Sequence, residues 1–209
     1  MKRILAVAFL ALGLSATGAK ADPIGPDNCV NDSCFGGIYT LEYAIQTPTE
    51  YLVRLIVDSS GYNGPNPTDY IQGVAPKVAS SILGTSFLVS TTAPGTWGFL
   101  ANTGLANGCS GGGNGFACSE SADALATVGT TYEWIFNIKV ADAGDWLLAP
   151  GAASIKVNYD PNNGIIVSEP ITFQENPNCC QPDIPEPAPL ALLGLGLFAL
   201  VAIRRRFNT

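Results

Sequence analysis

Apolar side chains at every second position are the feature that most constrains the fold of this chain. Four rows of this kind stand out: Tyr39, Leu41, Tyr43 and Ile45; Tyr51, Val53, Leu55 and Val57; Trp134, Phe136, Ile138 and Val140; and Ile155, Val157 and Tyr159. Successive side chains of a strand point to opposite faces, so alternation of this period is typical of a strand with one buried face. The rows therefore predict four half-buried antiparallel strands.

Turn signals separate these rows, and shorter apolar runs add further strands. Thr47-Pro48-Thr49 and residues 160–164 are rich in proline, asparagine or glycine, which is typical of hairpin turns. Pro170 interrupts the last run and indicates an edge strand or a bend. The additional strands are expected at 70–78, 86–90 and 165–173, and one short helix-like stretch lies at 119–126. Seven to nine strands predict an all-β, antiparallel two-sheet sandwich, with jelly-roll and Ig-like topologies both open.

The N-terminus has the three parts of a secretory signal peptide. Lys2 and Arg3 precede an apolar segment at 4–14. Ala19-Lys20-Ala21 then fits the small-x-small cleavage pattern. Residues 1–21 are therefore predicted to be removed on export, with Asp22 as the first mature residue.

The C-terminus has a second sorting pattern. Pro185-Glu186-Pro187 precedes an apolar run at 188–203, and Arg204, Arg205 and Arg206 follow. Sixteen helical residues span roughly 24 Å, against about 30 Å for a hydrocarbon core, a gap that bilayer thinning or snorkelling arginines can close. The positive-inside rule places the arginines in the cytoplasm, so 188–203 is predicted as a transmembrane helix with the body on the outer side.

This tail resembles the PEP-CTERM sorting signal of Gram-negative bacteria. The resemblance rests on Ile184-Pro185-Glu186-Pro187, the apolar helix and the arginine cluster in that order, and Ile184 stands where the family often has valine. It implies that a membrane-embedded exosortase cleaves near the Pro-Glu-Pro motif. It also implies a transient inner-membrane anchor, later release to the cell surface or medium, and a lifestyle that produces exopolysaccharide and biofilm.

Charge excludes one class of partner. Between Asp22 and Glu186 the chain has 17 acidic residues and only four basic residues, a net charge of −13. Such a surface repels phosphate backbones, so nucleic-acid binding is not expected.

Six cysteines in an exported chain predict disulfides, and six allow 15 full pairings. Cys109 and Cys118 bracket the glycine-rich segment 110–115, which we interpret as a flexible disulfide loop. Cys29 and Cys34 bracket another short loop. Since a bond between the neighbours Cys179 and Cys180 strains the backbone, a link from them to the N-terminal pair is the alternative. No zinc-type spacing is visible, and no metal site is predicted from the cysteines.

Catalytic chemistry has little support in the sequence. The chain has no histidine, so Ser-His-Asp and Cys-His catalysis and histidine-ligated zinc are excluded. A glycosidase needs only two carboxylates about 5–10 Å apart. Glu133, Asp142 and Asp145 are the candidates for such a pair, although acids at strand ends are usually solvated. No catalytic residue is therefore predicted.

A carbohydrate-binding module is the main alternative. Trp97, in a turn-rich context, is the candidate platform for a sugar, although burial is favoured for it as for Trp134 and Trp146. Calcium is a possible cofactor, because several loop residues offer hard oxygen ligands: Asp58, Asn63, Asp69, Asp142 and Asp145.

The sequence as a whole predicts a signal peptide at 1–21, a β-sandwich body at 22–173, a linker at 174–184 and a sorting signal at 185–209. The leading hypothesis is a non-enzymatic structural or adhesive protein, exported across the inner membrane and processed by an exosortase-like enzyme. Exopolysaccharide is a possible partner.

Overall fold

The computed structural model describes residues 22–66, 68–106, 108–160 and 165–180. These residues form ten strands and a short 3₁₀ helix at Ala143–Asp145. The strands are β1 (Ile38–Thr47), β2 (Glu50–Asp58), β3 (Tyr70–Lys77), β4 (Phe87–Thr91), β5 (Gly98–Ala106), β6 (Gly108–Glu120), β7 (Thr131–Lys139), β8 (Ala153–Asp160), β9 (Ile165–Ile171) and β10 (Gln174–Glu175).

The first sheet has the order β10-β1-β2-β7-β4 and contains three of the four predicted rows. Leu41 lies opposite Leu55, which lies opposite Trp134. This register places the three rows side by side on one face, as their alternation predicts. Every pair in this sheet is antiparallel except β1 with β10, which is parallel.

The second sheet has the order β5-β6-β3-β8-β9, and all of its pairs are antiparallel. Val74, Val157 and Val167 form a cross-strand row on its inner face. Pro170 lies in β9, at the edge of the sheet, where a residue without an N–H disturbs the ladder least. The predicted two-sheet sandwich is confirmed.

The core lies between the inner faces of the two sheets. Trp134, Phe136, Leu55, Ile155 and Tyr159 are between 0% and 1% exposed. Burying side chains of this size contributes roughly 1.5–3 kcal/mol each, which makes these rows the main source of stability. Ile45 departs from the first predicted row: it is 47% exposed, at the last position of β1 before the pairing with β2 shifts register.

The glycine-rich segment 110–115 was predicted as a flexible loop, and this prediction is wrong. It lies inside β6, where Gly111 and Gly112 pair with Gly104 and Thr103 of β5. Glycine has no side chain to alternate, so the periodicity that indicates a strand is missing there. The Cα atoms of Cys109 and Cys118 are only 5.7 Å apart. A straight strand would separate them by about 30 Å, so β6 folds back on itself.

Two other predictions are corrected. The helix-like stretch at 119–126 is instead the end of β6 followed by turns. In these turns the Ser121 hydroxyl accepts the Asp123 N–H. A local side-chain bond of this kind competes with the backbone hydrogen bonds of a helix. The predicted linker at 174–184 begins inside the fold, since Gln174 and Glu175 form β10 and pair with Glu42 and Tyr43 of β1.

Within the described ranges, no helix is both long and apolar enough to cross a membrane. The predicted signal peptide at 1–21, the transmembrane helix at 188–203 and the hairpin turn residues 161–164 lie outside those ranges.

Candidate functional site

The residues predicted to carry sorting lie outside the described part of the chain. This holds for Ala19, Ala21, the motif Pro185, Glu186 and Pro187, and the arginines 204–206. Asp22, the predicted first mature residue, is described and exposed. The structure therefore informs sorting at the two ends of the described body, which adjoin these segments.

Both ends of the described body lie on the same edge of β1. Ile24 and Tyr39 exchange two backbone hydrogen bonds of 2.9 and 2.8 Å. Three residues further along the same strand, Glu42 pairs with Gln174 of β10. Three strand residues span about 10 Å, so the chain enters and leaves the sandwich at neighbouring positions.

The body continues to Cys180, beyond the predicted boundary at 173. The Asn176 N–H donates to Tyr43 O at 2.8 Å, and Cys179 and Cys180 are only 0% and 7% exposed against Ala44 of β1. Pro185 is five residues further on. The sorting motif therefore begins within five residues of the end of the folded body.

The cysteines form three local disulfides in the structure. Cys29 bonds Cys34 and Cys109 bonds Cys118, as the sequence predicts. Cys179 bonds its neighbour Cys180, so the alternative link to the N-terminal pair is wrong. Each bond closes locally because its two cysteines lie within one turn, hairpin or dipeptide.

Trp97 is partly buried and packs against the core. Its ring is half-buried and meets the ring of Trp134 edge-on, at 5.1 Å between centroids. Its indole N–H donates to Pro94 O at 3.1 Å. These contacts favour a packing role over the sugar platform proposed from the sequence. Trp134 and Trp146 are buried, as expected.

Glu133 is not brought together with Asp142 and Asp145, the other two candidate catalytic carboxylates. Glu133 lies near the start of β7, whereas Asp142 and Asp145 follow its end and share the capping box of the 3₁₀ helix. The six residue steps of β7 from Glu133 to Lys139 alone span about 20 Å, beyond the separation a carboxylate pair needs. Each acid also has a partner: Glu133 lies 3.6 Å from Arg54, Asp142 caps the 3₁₀ helix, and Asp145 accepts the Ser80 hydroxyl at 2.6 Å.

The candidate calcium ligands have local partners as well. Asp58 accepts the Ser60 N–H at 3.0 Å, and this bond holds the pKa of its carboxyl below the usual value. Asp69 is buried and accepts the Tyr62 hydroxyl at 2.6 Å. In the described ranges, no three acidic, cysteine or histidine side chains cluster as metal ligands would.

One charged residue that the sequence analysis missed is fully buried. Glu169 of β9 is 0% exposed and accepts the backbone N–H groups of Val30 at 2.7 Å, Asn31 at 2.9 Å and Asp32 at 2.5 Å. These donors belong to the loop closed by Cys29 and Cys34. The sequence does contain an indication of this burial, because Glu169 stands between Val167 and Ile171, at an inward position of an apolar row.

A tyrosine pair lies beside this loop. The Tyr39 hydroxyl donates to Cys34 O at 3.2 Å and lies 2.9 Å from the Tyr159 hydroxyl, which is then the donor in their pair. Burial raises the pKa of Tyr39 to about 12; the Tyr159 hydrogen bond opposes this shift and the charge of Glu169 adds to it. Both hydroxyls therefore stay protonated at neutral pH and act as structural links between the sheets.

Solved structures that resemble this chain do so only weakly. One is to a family 20 exo-β-N-acetylglucosaminidase from Vibrio harveyi in complex with N-acetylglucosamine, with 8% identity over 66% of this chain and 18% of that chain, at a TM-score of 0.37. The other is to the collagen-binding subdomain of the Enterococcus faecalis surface protein ACE, with 14% identity over 70% of this chain and 99% of that one, at a TM-score of 0.29. Neither TM-score is high enough to support an argument.

Comparison by sequence locates the informative match at the C-terminus. No curated protein matches the chain. Residues 183–206 match the PEP-CTERM protein-sorting motif, and this range contains Pro185, Glu186, Pro187 and the three arginines. The chain therefore carries a PEP-CTERM protein-sorting motif directly after a folded two-sheet body.

Proposed function

We propose that this chain is an exported protein that an exosortase-type enzyme processes at its C-terminus. Its body then has a non-enzymatic structural or adhesive role at the cell surface or in the extracellular matrix. One observation carries the proposal: the sorting motif at 183–206 follows a folded body that extends to Cys180.

The ends of the body suit this processing. The predicted cut before Asp22 and a cut near Pro185 both lie outside the strands of the described ranges, so neither divides one of those strands. Because the chain enters and leaves on one edge of β1, both membrane-directed segments start from the same side of the sandwich. The opposite side is then free to face a partner or the matrix.

The environment of the acidic residues supports a non-enzymatic role. Glu133, Asp142, Asp145 and Asp69 each have a partner that explains their position: an ion pair, a helix cap or a hydroxyl donor. The three local disulfides suit a protein that works outside the reducing cytosol.

The sorting claim is tested by replacing Pro185, Glu186 and Pro187 with alanine in the native host. We expect an uncut species that keeps Arg204–Arg206 and stays in the membrane fraction, while the wild type gives a shorter species starting at Asp22. Replacing Gln181 and Pro182 with alanine is the matched control and should leave processing unchanged. Intact mass of each fraction is the measurement, and normal release of the triple variant would contradict the proposal.

The proposed role is tested separately by deleting the gene. We expect weaker cell–cell or surface attachment, restored by the wild type but not by the unprocessed triple variant. The Glu133→Gln variant should restore attachment fully, because the proposed role needs no catalytic carboxylate. Attachment that is unchanged by deletion, or that depends on Glu133, would contradict a non-enzymatic adhesive role.

A further inference from the structure

The few positive charges of the body are distributed unevenly. Arg54 contacts the carboxylates of Glu42 and Glu133, and Lys139 lies 3.6 Å from Glu50. The charge environment of the other two lysines, Lys77 and Lys156, is different. Among the residues that the structure describes, no carboxylate oxygen lies within 4.0 Å of either of their ammonium groups. The body from Asp22 to Cys180 has 15 acidic and four basic residues, a net charge of −11, and half of those basic side chains therefore have no ion-pair partner among the described residues.

These two lysines meet at one aromatic ring. The ammonium of Lys156 lies 5.1 Å from the centroid of Phe116, and that of Lys77 lies 5.6 Å from it. Phe116 is itself 7% exposed, so its ring is not a stacking surface for a ligand. A ring face attracts cations, and this attraction offsets part of the repulsion between the two ammonium groups.

The strand register places a third donor, Ser154, beside the two lysines. Lys77 lies opposite Phe116 of β6 on one side and opposite Ser154 of β8 on the other. Ser154 and Lys156 are two residues apart on β8 and share a face. Cross-strand, same-strand and diagonal neighbours have Cβ atoms roughly 5, 7 and 7–8 Å apart. The Cβ atoms of Lys77, Lys156 and Ser154 thus form a triangle of neighbouring positions on the outer face of the second sheet.

We propose that Lys77, Lys156 and Ser154 form a binding site for an oxyanion group, a carboxylate or a sulfate. Ammonium groups can only donate, and a serine hydroxyl can also donate, so the triangle matches a group with several acceptor oxygens. The ligand class is a molecule with isolated acidic groups on an otherwise uncharged frame, such as a sparsely acidic glycan. A densely charged polyanion is disfavoured because the net charge of −11 of the body repels it. This site is independent of Trp97 and of C-terminal processing.

The test is a lysine-resolved titration of the full-length chain. The sequence has five lysines, so ¹³C labelling of lysine gives five resolvable methylene signals. The probes are a hyaluronan hexasaccharide with one carboxylate per disaccharide, the neutral cellohexaose, and inorganic sulfate. We expect the hexasaccharide to shift the signals of Lys77 and Lys156, and Lys139 to stay unchanged as an internal control, because Glu50 already neutralises it.

Variants separate binding from folding. Lys77→Gln and Lys156→Gln should each weaken binding roughly two- to fivefold, as expected for a partly exposed charge pair, whereas Lys139→Gln should not. Lys77→Arg with Lys156→Arg keeps both charges and should keep binding. A shift with sulfate as well supports an oxyanion site of broader specificity. Equal shifts with cellohexaose, equal shifts at all five lysines, or none with any probe would overturn the proposal, whatever the outcome of C-terminal processing.

Discussion

The buried carboxylate of Glu169 accepts the backbone N–H of Asn31, 138 residues earlier in the chain, at 2.9 Å. The same small loop also covers the outer edge of β9, because Asp32 accepts the Ser168 N–H at 3.0 Å. An uncovered edge strand is a template for pairing with another chain. A loop of six residues thus satisfies a buried charge and protects a sheet edge.

Glu169→Gln is expected to lower the free energy of unfolding by about 1–3 kcal/mol. The amide keeps the shape of the side chain but loses the charge and places an NH₂ group against backbone donors, so buried donors lose their acceptor. Urea unfolding measures the change. Glu175→Gln, at an exposed position of β10, is the control and should change stability by no more than about 0.5 kcal/mol. Equal effects of the two variants would contradict a structural role for the buried carboxylate.

Replacing Cys29 and Cys34 with serine opens the disulfide loop and is expected to lower the free energy of unfolding by about 2 kcal/mol, the chain-entropy value for so short a loop. The loop supplies the donors to Glu169. In a double-mutant cycle, the effects of removing this disulfide and of Glu169→Gln on the free energy of unfolding should therefore differ from simple addition by about 0.5–3 kcal/mol. The control pair, Cys109→Ser with Cys118→Ser, lies on β6 and should add to Glu169→Gln within about 0.5 kcal/mol. Simple additivity of the first cycle would show that loop and carboxylate act independently.

Alkaline pH should destabilise the fold through Tyr39. Its folded pKa of about 12 is above the unfolded value of 10.0, so the folded state keeps a proton that the unfolded chain loses. The contribution is fully present below pH 10 and is lost as the pH rises towards 12, by roughly 2–3 kcal/mol for this group. Urea unfolding at several pH values measures the slope. Tyr39→Phe cannot ionise and should make this slope smaller, while burial also raises the pKa of Tyr159 and Tyr62, which supply a remaining slope. An unchanged slope in the variant would assign the alkaline transition to those other groups.

Trp97→Ala is expected to make the fold less stable. Because the half-buried ring packs against Trp134, its removal should lower the free energy of unfolding by roughly 2 kcal/mol. Leu125→Ala, at a side chain that is 55% exposed, is the control and should change it by no more than about 0.5 kcal/mol. If Trp97→Ala left stability unchanged and abolished binding to a neutral polysaccharide, Trp97 would be a ligand platform after all.

The sequence by itself determined the features that depend on local patterns. Alternation in Tyr51–Val57 and Trp134–Val140 predicts strands because a strand turns each residue to the opposite face, whatever its partner. The sorting motif is likewise a linear pattern, and residues 183–206 match it without reference to the body.

Only the tertiary structure decided the features that depend on pairing between distant segments. The glycines of β6 form a strand because β5 supplies their hydrogen bonds, and nothing in their own composition indicates this. The charge of Glu169 is tolerated inside because a loop 138 residues away supplies its donors. Lys77 and Lys156 meet at Phe116 because three strands align in one register. In each case the energy comes from partners far away in sequence, which a local pattern does not encode.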